Sequence, residues 1–211
     1  MMETNEQKGA GLALIIGSLL MIATMVLHPV GGDFNQLLKI VTIGIVSHAL
    51  AILSVPFVAY GFFGLSMRLK SSSFLSYTAF SIMFFGLIAV MIAAATNGLI
   101  LTDYAKSYEG ASEETIASLK PIFVFIRSFN HAFDYIFMSA ICLAMLFWSV
   151  AIIKTRALAT WVGYFGILVS IAGIILFISG FELLHLASFR IFVFANVAWI
   201  IVVGYYLRRI D

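Results

Sequence analysis

Six apolar stretches divide the chain, each closed by a short polar, glycine- or proline-bearing break. The first covers residues 10–27, 18 residues, just enough at about 1.5 Å each to cross a hydrocarbon layer of about 30 Å. HPVGGDFNQLLK breaks it, because Pro29 restricts the residue before it and Gly31-Gly32 ends the helix. The second stretch, 40–65, carries His48 and Pro56, and Pro56 predicts a kink that neighbouring groups repair. SMRLKSSS follows as a tight basic turn. The third stretch is 75–99. Residues 100–121 then read as one long loop, in which Ser112 followed by Glu113 and Glu114 starts a short helix on the membrane surface or over the bundle. The fourth stretch, 122–153, exceeds a perpendicular crossing, so it tilts or projects. KTRAL is a second basic turn, and the fifth (161–181) and sixth (191–207) stretches complete the pattern.

The prediction is an all-α polytopic membrane protein: six transmembrane helices in one bundle and one domain spanning 1–211. Composition strengthens it, since the chain is 63% hydrophobic and 10% charged, against about 25% charged in soluble domains. Its mean hydropathy is +1.09. The net charge of +2 gives no nucleic-acid footprint. Cys142 is the single cysteine, which excludes an intrachain disulfide and a cysteine metal site. No small-residue cleavage site precedes His28-Pro29, so the first stretch reads as a span rather than a removed leader. Lysine and arginine set orientation. One side holds Lys8, Arg68, Lys70, Lys154, Arg156, Arg208 and Arg209, and the other Lys39, Lys106, Lys120 and Arg190. Both termini are therefore expected in the cytoplasm.

With that topology the ionisable groups gather in the outer half. Arg127, Asn130, His131 and Asp134 are spaced by three and four, which puts them on overlapping parts of one helix face. His48 and His131 each fall about nine residues into their spans, roughly 14 Å below the outer ends. His28 ends the first span, Asn97 and Asp103 close the third, and Glu182 and His185 follow the fifth. Ionisable groups inside a membrane need partners or a wet cavity. A polar network holding the bundle together is one explanation. An outward-opening pocket for a small ligand or ion is the other, built from Arg127, Asn130, His131, Asp134, His48, Glu182 and His185. Arg127 supplies an anion contact, Asn130 orients the ligand, and His131 with Asp134 forms a donor and acceptor pair.

Other chemistries stay open. His48 and His131 at matched depth suit the two axial positions of a b-type haem. Glu182 and His185, three apart, share a face if helical, and His28, His131 or Asp134 would complete a zinc site for an intramembrane hydrolase. No HExxH motif accompanies them. Histidine–carboxylate pairs also suit a small-solute or proton-coupled transporter, although the chain has no internal repeat. A structural or accessory subunit, and a homodimer, complete the set. Gly61, Gly64, Gly163 and Gly166 permit close helix approach.

The run HAFDYIFMSAICLAMLFWSVAIIKTRALATWVGYFGILVSIAGI resembles the second half of the bacterial membrane proteins grouped as domain of unknown function 4386. There a histidine-bearing span leads to a short basic turn and a glycine-containing helix. ALAILSVPFVAYGFFGLSMRL is similar to their second span. The resemblance implies a multi-pass protein of the bacterial inner membrane in contact with its lipids. It matches His131 and Asp134 to that group's polar span and supplies no activity.

Overall fold

The computed structural model describes residues 4–31 and 34–209, so Gly32 of the first break lies outside the described residues. Among the described residues eight α-helices follow in order: α1 (Thr4–Leu27), α2 (Phe34–Lys39), α3 (Val41–Arg68), α4 (Ser73–Ala95), α5 (Leu101–Lys106), α6 (Glu113–Thr155), α7 (Thr160–Ile178) and α8 (Leu186–Arg208). A π-turn over Thr96–Ile100 joins α4 to α5. Among the described residues, six segments are long and apolar enough to cross a membrane: α1, α3, the α4–α5 unit, α6, α7 and α8. The chain is a six-helix membrane-spanning bundle. Six crossings return the chain to the side on which α1 begins, here called the terminal side. The opposite side is the distal side.

Two boundaries differ from the sequence reading. The first helix begins at Thr4 rather than residue 10. Most of the expected loop 100–121 is helical, and only residues 107–112 separate α5 from α6. Ser112 is the N-cap, its Oγ accepting the Thr115 N–H at 3.3 Å, which satisfies an otherwise orphaned donor. The helix it starts is not short. It continues through Pro121 and runs 43 residues to Thr155, because a proline removes one hydrogen bond without obliging the chain to turn.

The helices close a ring in the order α1, α3, α4, α6, α7, α8, with α8 packed back on α1. Between α1 and α8 the backbones nearly touch. A Cβ on Gly11 would stand 2.5 Å from the Gly204 carbonyl oxygen, and one on Gly204 2.8 Å from that of Gly11, so only glycine permits this crossing. The middle of the ring is filled on the terminal half. Phe62 of α3 stacks on Trp148 of α6 at 4.5 Å, and Trp148 lies 6.5 Å from Trp199 of α8. Trp148 Nε1 donates to Ser66 Oγ at 2.9 Å, and Ser66 and Ser76 each donate a hydroxyl to the other's carbonyl. That binds α3, α4 and α6 at one level.

Helix length then sets depth. His48 and Arg68 are 20 positions apart on α3, about 30 Å at about 1.5 Å per residue. Asp134 and Lys154 are 20 apart on α6, about the same distance. With the basic residues in the terminal headgroup layer, His48 and Asp134 both fall at the distal edge of the hydrocarbon. The Tyr135 ring packs 5.5 Å from Phe177, in the last turn of α7, which places Asp134 level with the distal end of α7. The remaining 21 residues of α6, Glu113 to Phe133, add some 30 Å of helix past Asp134. A second, small core forms there from Phe34 of α2, Ala105 of α5 and Leu119 of α6, flanked by Tyr104, Tyr108, Ile116 and Phe123.

Candidate functional site

The distal edge of the bundle carries two polar groupings. The first lies where α1, α3, the π-turn and α8 meet. His48 is buried. Its Nδ1–H donates to the Gly44 carbonyl one turn earlier at 2.7 Å, and Asn97 Nδ2 donates to its Nε2 at 3.3 Å. These two partners settle the tautomer. The π-turn makes the contact possible. Its extra residue brings Asn97 to the imidazole and leaves Gly98 against the His48 side chain, where any Cβ would overlap the ring. Thr102 Oγ1 donates to the Gly98 carbonyl at 2.5 Å, taking up an acceptor at the turn.

His28 completes this grouping from the end of α1, its ring centre 4.9 Å from that of His48. Arg190 of α8 reaches across, donating from Nε to the Met25 carbonyl at 2.9 Å and from Nη2 to the His28 carbonyl at 2.8 Å. A guanidinium thus caps carbonyls that the last turn of α1 leaves without helical donors. The sequence reads Asn97 only as closing a span and Arg190 only as an outer charge. The asparagine–glycine pair at the end of an apolar run is the local signal for the first. Nothing local signals the second.

His28 lies just outside its span. Burial, then the neighbouring His48 and Arg190, hold its imidazole down at about 4, against a weaker upward pull from the Pro29 carbonyl. The folded pKa lies below that of a free histidine, about 6.5. The contribution of neutral His28 to stability is therefore intact above about pH 6.5 and is lost as pH falls toward 4. The thermal unfolding midpoint in detergent is expected to hold level from about pH 8 to 7 and to decline below about 6.5. His28→Gln should flatten that part of the curve. An unchanged decline in the variant contradicts this assignment.

The second grouping belongs to α6. Asn130 is 9% exposed, and its Nδ2 donates to Asp134 Oδ2 at 2.6 Å, one turn along the helix. Asn130 Oδ1 is buried with no hydrogen-bond partner. Asp134 is half-buried, while Arg127 and His131 on the same helix are exposed. Past the end of α7, the connection over residues 179–185 turns at Gly180, which has φ 73°. It returns Leu183, 2% exposed, into the main core. Glu182 and His185 on either side of Leu183 are exposed.

The structure thus divides the candidate residues. Asn130 and Asp134 are bonded to one another, and His48 is committed to Gly44 and Asn97. Arg127, His131, Glu182 and His185 are exposed. Both ring nitrogens of His48 are engaged and His131 is exposed on another helix, so the two do not fit a haem between them. Among the described residues no three His, Cys, Asp or Glu side chains converge to hold a metal ion, so His28, His131, Asp134, Glu182 and His185 do not fit a zinc site as arranged. The depth also changes. His48 and Asp134 lie below the tips of their own helices, but those helices project, and the groups stand at the membrane boundary.

Comparison with known proteins returns no match: no family model, no curated protein and no solved structure matches the chain.

Proposed function

We propose that this chain is a membrane-embedded binding protein that takes a small polar ligand or ion from the distal side, at Asn130 and Asp134. The observation that carries the reading is the buried, unpartnered Oδ1 of Asn130 next to a carboxylate that Asn130 itself orients. A buried polar atom without a partner costs about 1–3 kcal/mol, and a donor from a ligand relieves it. Both open positions, Asn130 Oδ1 and the second Asp134 oxygen, accept hydrogen bonds when the acid is ionised. The ligand class that fits them is donor-rich: an ammonium, an amide or a hydrated cation. His131, exposed on the next position of the same helix, lies on the approach. The lysine and arginine count supports a cytoplasmic terminal side, so the site opens outward. The resemblance to the domain of unknown function 4386 proteins supports a bacterial cytoplasmic membrane.

A thermal-shift screen of amines, amides, sugars and inorganic cations on purified protein tests it. A ligand at 100 times its Kd stabilises by about 2.7 kcal/mol. At least one donor-rich class should raise the midpoint of the wild-type chain and of Glu109→Gln, but not of Asp134→Asn. No stabilising class, or equal stabilisation of Asp134→Asn, overturns the reading.

An accessory-subunit role is favoured by a different observation. On the projecting half of α6, Val124 and Phe125 are 56% and 67% exposed. Pull-down of a stoichiometric second protein from native membranes, lost in Phe125→Ser, supports that role.

A further inference from the structure

A groove of about 600 Å³ opens on the outside of the ring, between the first turns of α3 and the π-turn with α5. Its lining divides by depth. Ile45, Leu99 and Ile100 form an apolar floor, and Asp103, Tyr104 and Ser107 form a polar rim. The floor follows from the π-turn. Gly98 is tucked against His48, while the next two residues, Leu99 and Ile100, turn outward and are 39% and 57% exposed.

Depth says what meets each part. Ile45 lies one turn distal to His48, which stands about 30 Å from the basic terminal edge. The floor therefore sits where acyl chains end. Asp103 and Ser107 lie three and seven residues beyond Ile100, roughly 5 and 10 Å further out, within the headgroup layer. A water-soluble ligand would have no use for the floor, and a bare hydrocarbon none for the rim. A phospholipid uses both.

Charge selects the headgroup. The charged residue lining the groove is Asp103, and its carboxylate attracts an ammonium and repels an anionic headgroup. A primary ammonium can also donate hydrogen bonds, to Asp103 and to the hydroxyls of Tyr104 and Ser107. A quaternary choline cannot. We infer that this groove is a binding site for a phospholipid with a primary-amine headgroup, its acyl carbons on Ile45, Leu99 and Ile100 and its ammonium on Asp103.

The test is native mass spectrometry of the full chain in detergent, with phosphatidylethanolamine, phosphatidylcholine and phosphatidylglycerol added separately at equal concentration. The wild-type chain should retain phosphatidylethanolamine roughly fivefold over phosphatidylcholine, the scale of one exposed charge-assisted contact, and phosphatidylglycerol least. Asp103→Asn should bring phosphatidylethanolamine down to the phosphatidylcholine level without changing the unfolding midpoint. Ile100→Ser, which makes the floor polar without adding charge, should lower retention of all three. Free ethanolamine at the same concentration should not displace the lipid, and displacement would assign the site to a soluble amine instead. Equal retention of the two zwitterionic lipids by the wild-type chain, or an undiminished preference in Asp103→Asn, overturns the inference.

Discussion

Trp148→Ala will cost the bundle about 3–5 kcal/mol, enough to leave it unfolded or aggregated in mild detergent. Three interactions are lost together. Trp148 is 0% exposed, its ring stacks on Phe62, and its Nε1 donates to Ser66. Helices in lipid are not driven together by exclusion from water, because acyl chains are as apolar as the core. Packing and buried hydrogen bonds supply the association instead. A void in the middle of the ring therefore removes a main source of cohesion between α3, α6 and α8. Trp148→Phe is milder, since it keeps an aromatic ring near Phe62 while removing the donor and the extra volume of the indole. Its expected cost is about 1–3 kcal/mol. Thermal unfolding followed by size-exclusion chromatography measures both. A Trp148→Ala chain that stays monodisperse and melts within a few degrees of the wild type contradicts the ring arrangement.

The second large effect is expected at Gly98. Alanine there overlaps the Cβ and Cγ of His48, so the turn and α3 must move apart and the imidazole loses its bond to Asn97. Forced overpacking costs about 1–3 kcal/mol, and the broken bond adds to it. The cause is specific to one pair, which allows a sharper check than a single midpoint. If the methyl group and the His48 side chain compete for one volume, His48→Gly makes room for it, because the overlap begins at the His48 Cβ, which alanine would keep. Gly98→Ala in the His48→Gly background should then cost much less than in the wild type, a coupling on the order of 1 kcal/mol or more. Additive effects contradict direct contact between the two positions.

Much of this fold was legible in the sequence, for a physical reason. In a bilayer each span must satisfy its own backbone hydrogen bonds, so uninterrupted apolar length nearly determines helix count. Gly61, Gly163 and Gly166 behave as the sequence suggests. Gly61 meets Leu14 and the Ala10 carbonyl, and Gly163 meets the Ser149 carbonyl. The error over residues 100–121 arose because polar composition and Pro121 resemble a loop. A helix that leaves the membrane is no longer required to be apolar, and a well-capped start at Ser112 carries it through. That error propagated to depth, since a span counted from residue 122 places His131 too far inside the membrane.

The site was legible only in part. The spacing of Asn130 and Asp134 correctly put them within reach on one helix. Three- and four-residue spacing cannot tell which of two adjoining positions faces the interior, and here His131 points outward while Asn130 is buried. His48 depends on Asn97, 49 residues away in sequence, and the α1 cap depends on Arg190, more than 160 away. Such contacts are properties of the ring closure, and no local pattern encodes them.

Asn130 and Asp134 as a ligand site is the claim on which the functional account stands. The most direct measurement is an inventory, by liquid chromatography and mass spectrometry, of small molecules released from wild-type and Asp134→Asn protein extracted in native lipid. The account predicts a non-lipid, donor-rich compound or cation held by the wild-type chain and absent from Asp134→Asn, with the lipids unchanged. Identical inventories from the two chains would contradict it.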